Sequence, residues 1–293
     1  MLQTRMIGDV RVSRVLEMSG PTHDPAFLFP DLPPEEIARQ AHWLAPHHWV
    51  PAMGRLIITT QIWVVQTGSR VVLVDTAIGN GKPRPAARQN MLNTLVEPWL
   101  IAAGAAPEAV TDVVLTHLHA DHVGWNTRLE DGRFVPSFPN ARYHVPRQDF
   151  EVFQARFVAG EKGVNSGSFA DSVLPIFEAG LADFIAPGDI VAERLRVAAA
   201  PGHTPGQINL WLTGVDEPAV FCADIFHSPL QIALPALNTR YCMLPDVARR
   251  TRIDVLNESA RTGALIMPMH FGAPHCGYVR AEGDAFRFEP ANW

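Results

Sequence analysis

Apolar and polar positions change between strand-like and helix-like patterns along this chain. β-Branched apolar runs at 57–67 and 70–76, separated by a Gly-Ser pair, predict a hairpin that enters a buried sheet. Apolar positions at helical spacing predict a helix over 86–103. The apolar run at 113–115 that follows is typical of a strand covered on both faces.

The rest of the chain shows the same alternation of strands and helices. Its predicted strands lie near 142–145, 195–200, 207–213, 218–223 and 264–268. Predicted helices lie near 34–43, 146–156, 168–178 and 246–262. In the last helix, Asp246 is the expected N-cap and Gly263 the expected end. The alternation predicts a layered α/β architecture.

The length of 293 residues suits a single α/β body. Residues 1–56 are rich in proline and aromatic residues and are interpreted as an N-terminal arm that packs over a sheet edge or forms a wall of a substrate pocket. Residues 57–293 are expected to form the catalytic domain.

Composition and charge exclude some classes of function. With 47% hydrophobic and 18% charged residues the chain is expected to fold. Its net charge is −6 and its lysines and arginines are scattered, so it lacks the basic surface that nucleic-acid binding requires. Three cysteines without CxxC spacing suggest reduced thiols, and no run approaches the length of a membrane span. A cytoplasmic protein with a small-molecule substrate, and with neither a nucleic-acid nor a membrane partner, is expected; a homodimer is left open.

Four potential metal ligands follow the apolar strand at 113–115. The segment THLHADHVG contains His117, His119, Asp121 and His122 within six residues, at a strand end where side chains are commonly delivered into an active site. Nitrogen and carboxylate donors at this density suit zinc, with manganese, iron or cobalt as alternatives. In a loop that leaves a strand, alternate side chains can serve two adjacent metal ions.

Three later positions in similar strand-to-loop contexts can complete such a centre. His203 lies in APGHTPGQ, Asp224 in FCADIFHSP and His270 in IMPMHFGAP. Each alone is ambiguous, because a single buried histidine is usually a hydrogen-bonded core residue. Together they predict one ion held by His117, His119 and His203, a second held by Asp121, His122 and His270, and Asp224 as the bridge.

This ordered set, HxHxDH, PGHTPG, one aspartate and a last histidine, resembles the metallo-β-lactamase superfamily over residues 57–288. The resemblance implies a four-layer αβ/βα sandwich. It also matches LVDT, in which Asp75 would support a ligand loop, although in isolation Asp75 could be an ordinary turn residue.

Within the superfamily, GHTPGQ, ADIFHSPLQ and the tail GYVRAEGDAFRFEPANW resemble the methyl parathion hydrolase and quorum-quenching lactonase branch. The resemblance implies a neutral ester-like substrate: a lactone, an aryl ester or an organophosphate triester. One departure is His227, where the lactonase branch tends to carry a tyrosine three residues after the bridging aspartate. His227 could donate a hydrogen bond to an oxyanion or pack beside the site.

The expected reaction is hydrolysis by a metal-bridging hydroxide, with Asp121 accepting its proton and returning it to the leaving group. A glyoxalase II-like thioesterase is the nearest alternative: no clear Lys/Arg cluster lies near the final ligand to anchor glutathione, but Arg240, Arg249 and Arg250 could be recruited. A β-lactamase and a mononuclear oxygenase are weaker alternatives. A non-catalytic protein that retains metal is the alternative from another class.

Several other residues have two interpretations. Aromatic residues that form either a wall around the metals or part of the core are Trp43, Trp49, Trp125, Phe226 and Phe271. His144 is interpreted as structural, and His275 stays unresolved between structure and function.

Overall fold

The computed structural model describes residues 2–283 and 285–293 of the chain. The chain divides into two compact units. The first unit combines the chain up to Glu17 with Thr60–Ala198, and the second combines Met18–Thr59 with Ala199–Trp293. Long strands that run across the unit boundaries contribute residues to both.

The first unit is built on a mixed sheet. Its complete strands are β1 (Leu2–Ile7), β5 (Arg70–Val74), β6 (Asp112–Val114), β9 (Arg142–Pro146) and β10 (Ala182–Ile185). The start of β2 (Val10–His23) and most of β4 (Arg55–Thr67) also belong to this unit, whereas β3 (Trp49–Val50) belongs to the second unit. The order is β1-β2-β4-β5-β6-β9-β10. The β4–β5 pair is antiparallel and β5, β6, β9 and β10 are parallel, so the carboxyl ends of these four strands lie at one edge.

Short hairpins and helices complete the first unit. The hairpin strands are β7 (Thr127–Glu130), β8 (Arg133–Pro136), β11 (Ile190–Val191) and β12 (Leu195–Ala199). The α-helices of this unit are α3 (Val96–Ala102), α4 (Ala120–Val123), α5 (Arg147–Val158) and α6 (Leu174–Glu178), numbered after α1 (Pro25–Leu28) and α2 (Pro34–Leu44) of the second unit. Val113 and Leu73 are fully buried in its apolar core, as expected for parallel strands.

The second unit carries its own sheet and core. Its strands β13 (Ile208–Leu212), β14 (Ala219–Ala223), β15 (Leu265–Pro268), β16 (Gly277–Glu282) and β17 (Ala285–Pro290) follow one another across the sheet. Besides α1 and α2, it contains α7 (Leu230–Ala233) and α8 (Pro245–Thr262). Leu28, Phe29 and Leu44 from the N-terminal segment join Leu230 and Leu237 in a buried cluster. The N-terminal helices are therefore part of this unit's core.

The predicted α/β class is confirmed, and the 57–67 and 70–76 runs form the β4–β5 hairpin. The helix predicted over 86–103 is too long, because its regular part is only Val96–Ala102 after a 3-10 turn at Ala87–Gln89. The Asn80 side chain accepts hydrogen bonds from the Thr94 amide (2.7 Å) and hydroxyl (3.0 Å), which stabilises a turn in place of the first helical turns.

Two details of helix geometry also differ from the prediction. Asp246 is not the N-cap of α8: the helix begins at Pro245, Leu244 occupies the cap position, and Asp246 lies in the first turn. Proline is favoured at this first helical position because its missing N–H needs no partner there. Gly263 does end the helix, in the left-handed conformation at φ 68°. Between 168 and 178 the segment Phe169–Val173 is wound as a π-helix before α6 begins.

The remaining short 3-10 turns are Pro51–Met53, Gly124–Asn126 and Val164–Gly167. None of the helices in the described ranges combines the length and apolar character that a membrane crossing requires.

Candidate metal centre

The first unit brings the four residues of the HxHxDH motif together directly after β6. His117 and His122 are fully buried, and their ring centroids lie 4.0 Å apart. The His119 ring lies 4.8 Å from that of His117. Asp121 is on the short helix α4 with its side chain 24% exposed, and its Oδ1 lies 3.8 Å from Nε2 of His122. The motif therefore forms a compact group of nitrogen and oxygen donors.

The glycine at the end of THLHADHVG is required by a close backbone approach. A Cβ built on Gly124 would lie 1.8 Å from the carbonyl oxygen of Ile78. The Gly124 amide donates to the carbonyl of Ala77 at 2.7 Å, and the Thr76 amide donates to the carbonyl of His122 at 2.7 Å. The motif loop is thus fastened to the loop that follows β5.

Asp75 at the end of β5 orients this group. Its buried carboxylate accepts hydrogen bonds from the Thr116 amide at 2.7 Å and hydroxyl at 2.8 Å, and lies 2.8 Å from Nδ1 of His122. A carboxylate on Nδ1 fixes the tautomer that leaves the lone pair on Nε2, as metal coordination by Nε2 requires. This geometry supports the predicted role of Asp75 over that of an ordinary turn residue.

Replacement of Asp75 by asparagine is expected to weaken metal binding by about 10- to 100-fold, because the His122 ring loses its orienting anion. Competition with a fluorescent zinc chelator measures this affinity. Asp112→Asn is the matched control, since Asp112 is also a buried carboxylate 2.8 Å from a histidine nitrogen, that of His144. Equal affinity losses in the two variants would show that the effect is not specific to the Asp75–His122 pair.

Glu17 in β2 contacts both the motif loop and the loop that follows β5. Its carboxylate accepts hydrogen bonds from the amides of Ile78 (2.7 Å) and Gly79 (3.0 Å) and from the Trp125 indole (2.7 Å). Burial raises the pKa of Glu17 from 4.5 to about 7, against these three hydrogen bonds and with a smaller contribution in the same direction from Asp121. The N-terminal segment therefore contributes a buried titratable group beside the motif.

This raised pKa predicts that Glu17 destabilises the metal-free protein as pH rises. The folded state holds the proton between pH 4.5 and about 7 while the unfolded state releases it, so the free energy of unfolding decreases with pH in this window. The full decrease is about 3 kcal/mol and is complete above the folded-state pKa.

Urea unfolding of the metal-free protein at pH 5 to 8 measures the free energy of unfolding of wild type and of Glu17→Gln, in which residue 17 cannot titrate. As pH rises, the free energy of unfolding of wild type is expected to fall relative to that of the variant. Glu130→Gln, at a half-exposed glutamate, is the control. A difference that stays constant across the range would contradict the prediction.

The second unit brings together the later predicted residues around one carboxylate. Nε2 of His203 lies 3.2 Å from Oδ2 of Asp224, and Nε2 of His270 lies 3.0 Å from its Oδ1. Nε2 of His227 lies 3.3 Å from Oδ2. Donor atoms of Asp224, His227 and His270 all lie within 4.8 Å of one another. Three imidazoles thus converge on a carboxylate that is only 3% exposed.

Backbone contacts hold these histidines in place. Nδ1 of His270 lies 2.7 Å from the carbonyl oxygen of Thr59, and the Thr59 amide donates to the His270 carbonyl at 3.1 Å. The Met243 amide donates to the His203 carbonyl at 2.9 Å. Gly202 has φ 135°, and a Cβ there would lie 2.3 Å from the Ala248 backbone, so the glycine before His203 allows this loop to contact α8.

Arg252 on α8 supports the loop that follows Asp224. Its guanidinium, 1% exposed, donates to the carbonyl of Ile225 at 3.0 Å and to that of Pro235 at 2.8 Å. It also donates to Oδ1 of Asn238 at 3.2 Å. Burial lowers the pKa of Arg252 to about 10, so it still carries its charge at neutral pH. Arg252 therefore fixes the segment that contains His227.

The aromatic residues and histidines that had two interpretations pack in the core or make hydrogen bonds within the protein. Trp125, Phe226 and Phe271 are each no more than 6% exposed and pack in the interior, and Trp49 lies in the second unit's core cluster. His144 lies in β9, where its Nε2 is 2.8 Å from Oδ1 of Asp112, in agreement with the predicted structural role. Nδ1 of the buried His275 lies 2.7 Å from the carbonyl oxygen of Phe271.

Sequence reasoning missed Glu17, Arg252 and Tyr241. Tyr241 is 40% exposed, and its ring lies 6.2 Å from that of His227 at an interplanar angle of 26°. Glu17 is an isolated charged residue in a strand and Arg252 is one of several arginines in α8, so no local pattern distinguishes either of them. Tyr241 lies in a segment without secondary-structure periodicity, seventeen residues after Asp224.

The chemistry of the donors fits divalent metal. Each unit groups imidazole nitrogens with carboxylate oxygens, which is the set that zinc and related ions prefer. In each unit a histidine has its Nδ1 beside an oxygen acceptor, Asp75 for His122 and the Thr59 carbonyl for His270. This arrangement is typical of metal-binding histidines.

Solved structures of similar fold include the hydrolase AbOPH of the beta lactamase superfamily, with a TM-score of 0.81, 24% identity and coverage of 100% of this chain and 98% of the other. AidC, described as a dizinc quorum-quenching lactonase in complex with a hexanoyl-homoserine product, has a TM-score of 0.80, 19% identity and coverage of 100% and 98%. At these identities the similarity shows the fold, which is the predicted metallo-β-lactamase type.

Two curated proteins are similar over part of their length. The metallo-beta-lactamase domain-containing protein 1 of Xenopus laevis is 31% identical over 161 residues, which cover 55% of this chain and 52% of that protein. The hydroxyacylglutathione hydrolase of Rhodospirillum rubrum is 26% identical over 196 residues, which cover 59% and 64%. The chain thus spans between half and two thirds of these relatives.

The profile of the metallo-beta-lactamase superfamily matches residues 58–279, well over half of the 293 residues and all seven predicted ligands. The ordered motifs, the fold and this match agree, and the chain belongs to the metallo-β-lactamase superfamily.

Proposed function

We propose that this protein is a dinuclear metal-dependent hydrolase of a small ester-like substrate. The observation that carries the proposal is the convergence of three imidazoles on the buried Asp224 carboxylate, in a chain that also holds the compact HxHxDH group. Of these three, His203 and His270 are best explained as metal ligands.

The proposed ligand sets are those that the sequence predicts. His117, His119 and His203 would hold one ion, and Asp121, His122 and His270 would hold the other. Asp224 would bridge the two, which is supported by its place between Nε2 of His203 and Nε2 of His270. Zinc is the proposed metal, because imidazole dominates the donor set.

When bound, two such ions would lower the pKa of the attacking water and polarise the substrate oxygen. The chain's own residues supply orientation and proton transfer. Asp75 is fully buried and occupied by His122 and Thr116, whereas the Asp121 side chain is 24% exposed. We therefore assign to Asp121 the proton of the attacking water and its return to the leaving oxygen.

His227 is proposed to face the substrate beside Asp224. Its Nε2 lies 3.3 Å from Asp224, and the loop that carries it is held by Arg252. A fixed imidazole beside the ligands is suited to donate a hydrogen bond to the developing negative charge on the ester oxygen.

A glutathione thioesterase is the second candidate, favoured by the 26% identity to a hydroxyacylglutathione hydrolase. Such a substrate needs cationic anchors for its carboxylates. Two of the three arginines considered for this role have other contacts: Arg240 lies over the Phe27 ring at 4.0 Å, and Arg249 pairs with Asp246 at 3.5 Å. An ester substrate is therefore preferred.

Steady-state kinetics of the zinc-loaded protein test the proposal. The panel contains an N-acyl homoserine lactone, 4-nitrophenyl acetate, a dialkyl aryl phosphotriester and a hydroxyacylglutathione thioester. At least one of the first three is expected to exceed the thioester in kcat/KM by tenfold or more. Thioester turnover above all three would favour the second candidate, and protein with two metal equivalents that hydrolyses none of the four would reject both.

A further inference from the structure

Aromatic rings in the second unit form a continuous series that begins at the metal-binding group. The His270 and His227 rings stack with centroids 4.9 Å apart, and the Tyr241 ring follows at 6.2 Å from His227. The His23 ring lies edge-on to Tyr241 at 6.4 Å, and the Phe27 ring lies 6.3 Å from His23. Each distance lies within or close to the range of interacting aromatic pairs.

Exposure rises from the metal-binding group to Tyr241. His270 and His227 are 2% and 5% exposed and Tyr241 is 40% exposed, whereas His23 beyond it is 6% exposed and Phe27 is 48% exposed. Tyr241 is thus the point at which the series reaches solvent beside the ligands. A ligand whose polar end reaches Asp224 along this series would pass the His227 ring and place its more distant atoms against the Tyr241 ring.

The Tyr241 ring is held in this position by its surroundings. Its hydroxyl lies 3.4 Å from Nε2 of His23, whose Nδ1 lies 2.9 Å from the Thr22 hydroxyl. Two residues later, the Met243 amide donates to the carbonyl of His203. The segment that contains Tyr241 is therefore fastened both to the N-terminal segment and to a ligand loop.

We propose that Tyr241 is a specificity-determining residue that receives the aromatic or other planar apolar group of the substrate. This rests on the proposed function, because the polar end of that substrate is taken to lie at the metal ligands. A rigid, half-exposed ring loses little conformational entropy on binding and offers a flat apolar face. Stacking on one such ring favours an aryl group over a methyl group by about three- to tenfold.

The test compares phenylacetate with acetate as ligands of the zinc-loaded protein, by calorimetric titration. Both carry the same carboxylate, so the ratio of their dissociation constants isolates the contribution of the phenyl ring. Wild type is expected to bind phenylacetate about tenfold more tightly than acetate. Tyr241→Leu is expected to reduce this ratio to threefold or less, while Tyr241→Phe retains it.

Tyr278→Leu is the matched control, since Tyr278 is a partly buried tyrosine of the same unit whose hydroxyl donates to Glu217 at 2.8 Å. It is expected to keep the wild-type ratio. The inference is overturned if wild type shows no preference, including no binding of either ligand, or if Tyr241→Leu keeps the preference. If Tyr241→Leu fails to fold, loss of the ratio in Tyr241→Phe overturns it instead.

These titrations require no turnover, so their outcome is separate from that of the hydrolysis panel. A Tyr241-dependent preference in a protein that hydrolyses nothing would reject the proposed function and keep the aryl subsite. Ester hydrolysis without such a preference would keep the proposed function and reject the subsite.

Discussion

Removal of metal with a chelator is expected to lower kcat/KM for ester hydrolysis by about 1000-fold or more, a loss of about 4 kcal/mol in transition-state stabilisation. The residues grouped around Asp224 and in the HxHxDH motif are imidazoles and carboxylates. Such residues orient water and carry protons, but they do not generate hydroxide at neutral pH without a metal ion.

Added zinc or manganese is expected to restore activity to within a few-fold of the starting value. Calcium and magnesium serve as controls, because these ions prefer oxygen ligands and are a poor match for a histidine-rich site. Elemental analysis must accompany each assay, and circular dichroism must show that the chelated protein remains folded. Full activity at less than about one tenth of a metal equivalent would reject metal-dependent hydrolysis.

The proposed metal ligands could be selected from the sequence because they follow strands that have a clear apolar pattern. His117 comes directly after the buried β6, Asp224 after β14 and His270 soon after β15. A strand end followed by a short polar loop limits where a side chain can point. The glycines at 124 and 202 were visible in the motifs, and the structure adds the close backbone contacts that require them.

The errors have local physical causes. Leu92 and Leu95 have helical spacing, but the Asn80 side chain stabilises a turn at Thr94 and delays the helix to Val96. β2 was not predicted, because VRVSRVLEMSGPTH mixes charged and apolar residues without clear alternation. It is a strand because it pairs with β1 and β4 in the sheet, which is tertiary context that a single sequence does not contain.

Residues that act on the site from a distance were beyond sequence reasoning. Glu17, Arg252 and Tyr241 lie far along the chain from the atoms that they contact: Glu17 accepts from the Trp125 indole, and Tyr241 lies beside His23. Their roles depend on burial and on long-range contacts. The sequence therefore suffices to propose the donor residues, whereas the supporting contacts and the candidate specificity residue emerge only from the structure.

Replacement of Asp224 by alanine is expected to remove one metal equivalent and to lower kcat/KM by about 1000-fold or more, because the variant loses the carboxylate proposed to bridge the two ions. The lost side chain is 3% exposed and has three imidazole nitrogens at 3.0 to 3.3 Å. Without it, Asp121 is the one carboxylate left among the proposed ligands to offset the charge of two adjacent cations, so the weaker site empties first.

Elemental analysis after dialysis measures the stoichiometry, and kinetics on the best substrate of the panel measure activity. Asp216→Ala is the matched control, because Asp216 is an exposed aspartate in the connection between β13 and β14, and Asp224 directly follows β14. It is expected to retain both metal equivalents and full activity. If Asp224→Ala instead retains two equivalents, Asp224 is not the bridge, and His203 and His270 must bind metal without its carboxylate.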